Sequence, residues 1–135
     1  MSGQTAPAET VEALVEDRAE KSLQSRAYSF ALAVIRLVDK REHRDLSSEV
    51  IAKQLLRSAT SIGANIEEAQ AGTSRRDFTN FFFHALKSAN ETKYWLGLLK
   101  DAGKADSQTA DVLLREAGEL ARILGASVLT LRSRR

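Results

Sequence analysis

Residues 57–78 decide the fold of this chain, and they read RSATSIGANIEEAQAGTSRRDF. At about 100° per residue, apolar residues of this segment and of residues 51–56 before it fall on a single helical stripe. That stripe consists of Ile51, Leu55, Ala59, Ile62, Ile66 and Ala69. A polar stripe runs beside it and consists of Arg57, Ser61, Asn65 and Glu68. The pattern predicts an amphipathic helix whose core-facing side is bordered by polar groups that need partners.

The same segment also predicts a helical hairpin. Gly72 is a usual residue just beyond the C-terminus of a helix. Ser74 and Asp77 then have the spacing of a capping box, with Asp in place of the commoner Glu or Gln. One helix is therefore expected to end before Gly72, and the next to begin after Ser74.

Hydrophobic periodicity predicts two more helices, one before this hairpin and one after it, which gives four in all. They are expected over Ser22–Arg41, Ser48–Ala71 and Arg75–Ala102, and from a cap at Asp106 or Ser107 to Arg132. Strand-like alternation occurs nowhere in the sequence, and its single proline, Pro7, precedes all four segments. Short connections force neighbouring helices to run antiparallel. We therefore predict an all-α, up-down-up-down antiparallel four-helix bundle over residues 21–135.

The composition narrows the class of protein. Without cysteine, the 135-residue chain can have no disulfide, thiolate metal site or cysteine nucleophile, which fits a reducing cytosol. No apolar run approaches the ~18 residues that a membrane span needs, and no signal-peptide pattern opens the chain. We expect one cytoplasmic domain with no membrane partner.

Charge is distributed unevenly along the chain. Residues 1–20 hold five acids against one base, Arg18, and are expected to form a partly disordered arm with a short helical lead-in from about Glu9. Residues 21–135 therefore carry 19 bases and 13 acids, a net charge of +6. A basic body fits nucleic acid or another anionic partner. Ordinary scatter of surface charge is the alternative.

Motifs for catalysis or cofactor binding are missing from the sequence. The two histidines, His43 and His84, have no cysteine or Glu-x-x-His partner, so we predict no metal site. Glycine-rich phosphate loops and the G-x-S-x-G motif are also absent. We predict that the protein is not an enzyme and uses no cofactor.

The polar stripe has two interpretations. In the one that we favour, Arg57, Ser61, Asn65 and Glu68 form a buried hydrogen-bond network, joined by Glu91 of the third helix, that holds helix register. The fork of an arginine suits this role because it can hold a carboxylate with two bonds. In the other interpretation, the stripe contacts a ligand or RNA.

Large apolar residues also lie outside the core stripes of the first and third helices. They are Tyr28, Leu32, Ile35, Phe83, Tyr94, Trp95 and Leu98. Such residues indicate a second buried surface, and self-association is the simplest explanation. The alternatives are that single exposed aromatic residues are normal, or that the N-terminal arm covers the third helix.

Clustered bases are the candidate contacts for an anionic partner. Arg75 and Arg76 open the third helix, where free backbone N–H groups and the helix dipole favour anions. The full set of candidates is Lys53, Arg75, Arg76, Lys87, Lys93, Arg132, Arg134 and Arg135. Phosphate-backbone binding needs only a clustered positive field, whereas isolated lysines on helices are usually just solvated.

Two segments resemble the signature of a known family. Ser61-Ile-Gly-Ala-Asn-Ile-Glu-Glu68 and Thr73-Ser-Arg-Arg-Asp-Phe78, followed by Phe81, are similar to segments of small four-helix-bundle proteins encoded by intervening sequences in large-subunit ribosomal RNA genes. The accessory variability determinant proteins of diversity-generating retroelements are related to that family. The resemblance covers residues 22–132, with Gly63, Glu67 and Ala69 where Pro, Ala and Gly are common.

The resemblance implies a homopentamer of bundles that forms a ring with a basic surface. For the retroelement branch, it also implies binding of nucleic acid and of a reverse transcriptase. Together with the net charge of residues 21–135, it leads us to expect a non-enzymatic, oligomeric bundle that binds RNA or a ribonucleoprotein through basic surface residues. The alternative is a protein-interaction or scaffold module with no nucleic-acid role.

Overall fold

The computed structural model describes residues 22–72 and 74–134. Its four helices are α1 (Leu23–Lys40), α2 (Leu46–Ala71), α3 (Arg75–Asp101) and α4 (Ser107–Ser133), and no strand occurs within the described ranges. The predicted all-α four-helix bundle is confirmed. The predicted acidic arm, its helical lead-in and Arg135 lie outside the described residues.

Three of the four helices follow a residue whose side chain satisfies a free backbone N–H group, and only Asp45, which precedes α2, makes no such cap hydrogen bond. Ser74 Oγ accepts the N–H of Asp77 at 3.1 Å, as the capping-box spacing predicted. Asp106 caps α4 in the same way through Thr109. The predicted start of α2 at Ser48 is two residues late, because Asp45 takes the N-cap position.

Each helix packs against its two neighbours around a continuous core. The contacts of α3 with α2 and α4 are the most extensive, while α1 packs on α2 and touches α4 more lightly, which closes the bundle. α1 and α3 are therefore diagonal to each other. The predicted apolar stripe of α2 lies in the core, with only Ile51 partly exposed. Burial of each large apolar side chain contributes about 1.5–3 kcal/mol.

Two polar pairs lie inside this core. Thr92 of α3 donates its hydroxyl hydrogen to Ser58 Oγ of α2 at 2.9 Å, and both residues are fully buried. Arg26 of α1 holds Glu116 of α4 with two bonds, from Nε at 3.2 Å and from Nη2 at 2.9 Å. The Glu116 side chain is only 3% exposed. Each pair joins two neighbouring helices, so these pairs constrain register within the bundle.

The polar stripe of α2 is placed differently from our expectation. Its residues are exposed or half-buried, and the Arg57 side chain is 52% exposed. Arg57 does form an ion pair with Glu91 of α3, as predicted. Ser61 and Asn65, however, only bond to backbone carbonyls one turn earlier in their own helix. Glu68 makes no hydrogen bond to any described residue.

The prediction that this stripe is a buried network is therefore wrong. Its position on the helix, about a third of a turn away from the core stripe at about 100° per residue, leaves it at the solvent-facing edge between α2 and α3. Among the described contacts of the four stripe residues, only the Arg57–Glu91 pair joins α2 to α3, and Trp95 Nε1 supports that pair by donating to Glu91 Oε2 at 3.0 Å.

α3 ends at a glycine that needs a left-handed backbone. Gly103 has a φ of 72° and forms a Schellman motif, in which its N–H donates to Lys100 O at 3.0 Å and the N–H of Lys104 donates to Leu99 O at 2.8 Å. This turn satisfies the last carbonyls of α3 and directs the chain towards α4.

The α3–α4 turn is tied to the α1–α2 linker through Asp45. Lys104 Nζ lies 3.1 Å from Asp45 Oδ2, and the hydroxyls of Ser48 and Ser47 donate to the same carboxylate at 2.8 and 2.9 Å. These donors, Ser48 first, hold the pKa of Asp45 well below its usual range. We call the part of the bundle formed by residues 41–45 and 102–106 the linker end.

Candidate nucleic-acid interface

Four arginines gather at the other end of the bundle, where α3 begins and α4 ends. Arg75 and Arg76 are the first two residues of α3, Arg132 lies in the last turn of α4, and Arg134 follows that helix. All four residues are exposed. We call this surface the arginine end.

Two clefts lie between these helix ends. The larger has a volume of about 700 Å³ and is lined by Arg75, Arg76, Thr79, Asn80, Leu131 and Arg132. The smaller, of about 440 Å³, reaches from the α2–α3 turn to Arg75 and Arg134. None of the described residues that line either cleft is acidic. The arginine end therefore presents positive charge together with hydroxyl and amide groups that can donate hydrogen bonds.

Arg75 and Arg132 also have roles within the fold. Arg75 Nη2 donates to the backbone carbonyl of Leu131 at 3.3 Å, which satisfies one of the free carbonyls in the last turn of α4. The guanidinium of Arg132 lies over the ring of Phe83, 4.7 Å from its centroid, and Lys87 Nζ lies 5.6 Å from the same centroid. Lys87 thereby extends the basic surface along α3.

Arg76 and Arg134 differ from the other two arginines. Neither forms a hydrogen bond or an ion pair with another residue in the described ranges. Their charge is directed to solvent, so substituting these two side chains removes no contact that the described part of the fold uses.

The remaining predicted contacts are not brought into this cluster. Lys53 and Lys93 are exposed, but they lie far from the arginine end. Lys53 is 18 residues before Ala71, the last residue of α2, and Lys93 is 18 residues after Arg75, the first residue of α3. At 1.5 Å per residue, each distance along the helix is about 27 Å. Sequence reasoning missed Thr79 and Asn80, although their positions four residues after Arg75 and Arg76 place them on the same helical face.

The predicted self-association residues divide into two groups. Phe83 and Trp95 are half-buried and pack against the core of their own chain, and Leu32 is also half-buried. The other four are exposed: Tyr28 at 69%, Ile35 at 37%, Tyr94 at 60% and Leu98 at 36%. Sequence reasoning missed three further exposed apolar residues, which are Leu46, Val50 and Leu129.

The histidines lie apart from each other. His43 is in the α1–α2 linker, and His84 is exposed on α3 beside the Phe83 ring. In the described ranges, no three His, Asp or Glu side chains come together as a set of metal ligands. Among the same residues, no helix combines the length and the apolar character needed to cross a membrane.

Comparison with known proteins identifies one family. The family model described as 23S rRNA-intervening sequence protein matches residues 20–126. The fold is similar to the crystal structure of a protein of unknown function from the S23 ribosomal protein family of Bacteroides thetaiotaomicron, with a TM-score of 0.71 and 34% sequence identity over 79% of this chain and 98% of that one. No curated protein matches the chain.

Proposed function

The chain belongs to the 23S rRNA-intervening sequence protein family, and from this membership and the arginine end we propose that it is a non-enzymatic, self-associating bundle that binds RNA. The observation that carries the proposal is the convergence of Arg75, Arg76, Arg132 and Arg134 on clefts with no acidic lining residue. Binding of this kind is dominated by phosphates and needs no base-reading geometry.

The geometry favours contacts with the phosphate backbone over contacts with bases. Proteins that bind single strands commonly stack bases on exposed aromatic rings. At the arginine end, the ring of Phe83 is half-buried and is approached by the charged groups of Arg132 and Lys87. The N-terminus of α3 adds backbone N–H groups and the positive end of a helix dipole. These features suit several adjacent phosphates.

Fluorescence anisotropy with a labelled RNA hairpin tests this proposal. The variant Arg76→Gln/Arg134→Gln removes two charges that have no contact with other described residues, so the fold is expected to survive. Binding should weaken, and the slope of log K against log salt should fall by about 1 for each phosphate that the variant no longer neutralises.

A matched control removes the same charge elsewhere. Arg44 in the α1–α2 linker and Arg115 in the first half of α4 are both exposed, and Arg44→Gln/Arg115→Gln is expected to bind RNA nearly as the wild type does. Equal weakening by the two double variants would show that net charge alone matters. Absence of binding at low salt would remove the proposal.

Self-association is the second part of the proposal. Tyr28 and Ile35 on α1, and Tyr94 and Leu98 on α3, form two exposed apolar patches on diagonal helices, separated by α2. Contact between the α1 patch of one subunit and the α3 patch of the next is a head-to-tail interface, which closes into a ring when the rotation permits. A ring-like homo-oligomer, a pentamer by family resemblance, therefore fits the two patches.

The competing function is a protein-interaction or scaffold module without a nucleic-acid role. The exposed apolar residues favour it, since patches of this kind also mark binding sites for other proteins. Purification at high salt with nuclease distinguishes the two functions: a protein partner that remains bound favours the scaffold, and release of bound RNA favours the first proposal.

A further inference from the structure

The helix α1 begins close to the arginine end of the bundle. Gln24, in the first turn of α1, donates from Nε2 to Glu67 Oε2 at 3.4 Å, and Glu67 is four residues before Ala71, the last residue of α2. At about 1.5 Å per residue, the start of α1 is therefore about 6 Å short of the arginine end along the bundle axis. The acidic arm, residues 1–20, joins the bundle at this point.

The arm is long enough to cover the arginine end. Neighbouring helices lie about 8–10 Å apart, so the diagonal from α1 to α3 is about 11–14 Å. Asp17 is five residues before Ser22, and Glu9 is thirteen residues before it. At about 3.3 Å per residue of extended chain, these acids can lie up to about 17 and 43 Å from the start of α1. Both distances are sufficient to reach the two clefts.

The charges of the arm and of the arginine end are opposite. Residues 9–20 contain five acids and one base, a net charge of −4. The arginine end presents four exposed arginines, and the acids of the adjoining helix turns, Glu67, Glu68 and Asp77, line neither cleft. Single exposed ion pairs contribute little. Attachment to the same chain, however, gives the arm an effective concentration on the order of millimolar at this surface, so several weak pairs are enough to hold it.

The arm also has apolar residues that match the smaller cleft. Val11, Leu14 and Val15 have the spacing of one helical face, and acids lie between and beside them. The smaller cleft is lined by Phe78 and Leu131, which are both half-buried and keep some apolar surface beside the arginines. An acidic segment with an apolar face can contact both kinds of surface, whereas a phosphate group can contact only the charged one.

We propose that the acidic arm binds to the arginine end of its own chain and competes with RNA there. The competition, though not the binding of the arm, rests on the proposed function. Carboxylates of the arm occupy the positions that RNA phosphates would take, so RNA has to displace the arm. A site that is open for only a fraction of the time binds its ligand with an affinity reduced by that fraction. The arm thereby favours RNAs with several adjacent phosphates over isolated anions.

Paramagnetic broadening in amide NMR measures binding of the arm without RNA. The chain contains no cysteine, so Ala8→Cys provides a single position on the arm for a nitroxide label. In the full chain, the label should broaden the signals of Asn80 and Ser133 at the arginine end. The signals of Gly103 and Ala105 at the linker end should stay sharp.

Two double variants with the same net charge separate binding of the arm from simple attachment. Glu12→Gln/Glu16→Gln should lose at least about half of the broadening at the arginine end, because it removes half of the net charge of residues 9–20. Asp39→Asn/Asp101→Asn removes two exposed acids next to the linker end and should keep the broadening of the wild type. Equal broadening in the two variants would overturn the proposal.

A mixing experiment identifies the chain to which the arm binds. Spin-labelled chains without isotope enrichment are mixed with ¹⁵N-enriched chains that carry no spin label. The enriched chains should keep sharp signals at their arginine ends. Broadening of these signals would mean that the arm binds to a neighbouring subunit, and would overturn binding within one chain.

RNA affinity provides the second measurement. Glu12→Gln/Glu16→Gln should bind the labelled hairpin about threefold to tenfold more tightly than the wild type, which corresponds to an arm that occupies the arginine end for about two-thirds to nine-tenths of the time. Asp39→Asn/Asp101→Asn should bind nearly as the wild type does. The gain should be lost when Arg76→Gln/Arg134→Gln is also present, because groups in contact are not additive.

The two measurements distinguish failure of this proposal from failure of the proposed function. If no form binds RNA while the broadening still depends on the charge of the arm, RNA binding is wrong and binding of the arm stands. If RNA binds but the broadening does not depend on that charge, the arm does not bind and the proposed function stands. Equal RNA affinities for the two double variants would overturn the competition.

Discussion

The buried ion pair between α1 and α4 provides the sharpest test of how the bundle is held together. Arg26→Met is expected to destabilise the fold strongly, because it removes the cation that holds the nearly buried carboxylate of Glu116 with two hydrogen bonds. Removing one partner of a buried pair costs about 3–5 kcal/mol. A domain of this kind is stable by only about 5–15 kcal/mol, so the melting temperature should fall by about 10–20 °C.

Replacing both partners should restore most of this stability. Arg26→Met/Glu116→Leu exchanges the pair for apolar side chains of similar size and leaves no buried charge behind. Such exchanges are often neutral or stabilising, so the double variant should lie within about 1 kcal/mol of the wild type, or above it. The two substitutions are thus expected to be far from additive, as for groups in direct contact.

Urea unfolding followed by far-ultraviolet circular dichroism measures these free energies. All variants need the same protein concentration, because self-association would add to the apparent stability. Arg57→Met is the matched control: its ion pair with Glu91 also joins two helices, but the Arg57 side chain is 52% exposed, so the loss should be at most about 1 kcal/mol. Equal losses for Arg26→Met and Arg57→Met would refute the reasoning, as would a double variant that loses the sum of its single changes.

Three further predictions concern a turn, a cap and the outer surface. Gly103→Ala should lower the free energy of unfolding by about 1–2 kcal/mol, because its φ of 72° is unfavourable for alanine. Gly118 lies inside α4 with open space for a Cβ, so Gly118→Ala should raise the free energy of unfolding by about 0.5–1 kcal/mol. Melting temperatures that shift in the same direction for both variants would contradict this. Asp45→Asn should be less stable than the wild type at neutral pH. The lowered pKa of Asp45 means that its stabilisation is present above the ordinary carboxyl pKa of about 3.9 and is lost in more acidic solution. The difference between Asp45→Asn and the wild type should therefore shrink as the pH falls, and a difference that stays constant would contradict this. Tyr94→Glu should reduce the mass measured by light scattering, and an unchanged mass would argue against assembly through this patch.

Local patterns were sufficient to predict the fold. The apolar stripe of α2 became part of the core, and Ser74 and Asp106 cap the helices that they were expected to cap. Periodicity and capping depend only on residues within one or two turns, so a sequence displays them directly. Helix order then follows from short connections, which leave an antiparallel bundle as the natural arrangement.

Partners across the bundle could not be predicted as well, because they depend on the axial register of two helices. The expected network on the polar stripe is at the surface, while the buried pairs are Ser58–Thr92 and Arg26–Glu116. A signal for the first pair was present: Ser58 interrupts the core stripe of α2, three residues after Leu55. A polar residue on a core-facing position is a better guide to buried hydrogen bonds than a polar stripe beside it.

Contacts at the arginine end also could not be predicted from the sequence, and they decide which arginines are suitable for testing RNA binding. Antiparallel order predicts that the start of α3 meets the end of α4, but not which arginines are used by the fold. Arg75 bonds to a carbonyl of α4 and Arg132 packs on Phe83, so substituting either would disturb the helix ends as well as a ligand. Arg76 and Arg134 have no such contacts with described residues. A loss of RNA affinity that is confined to these two, with unchanged melting, can therefore only come from a contact outside the chain.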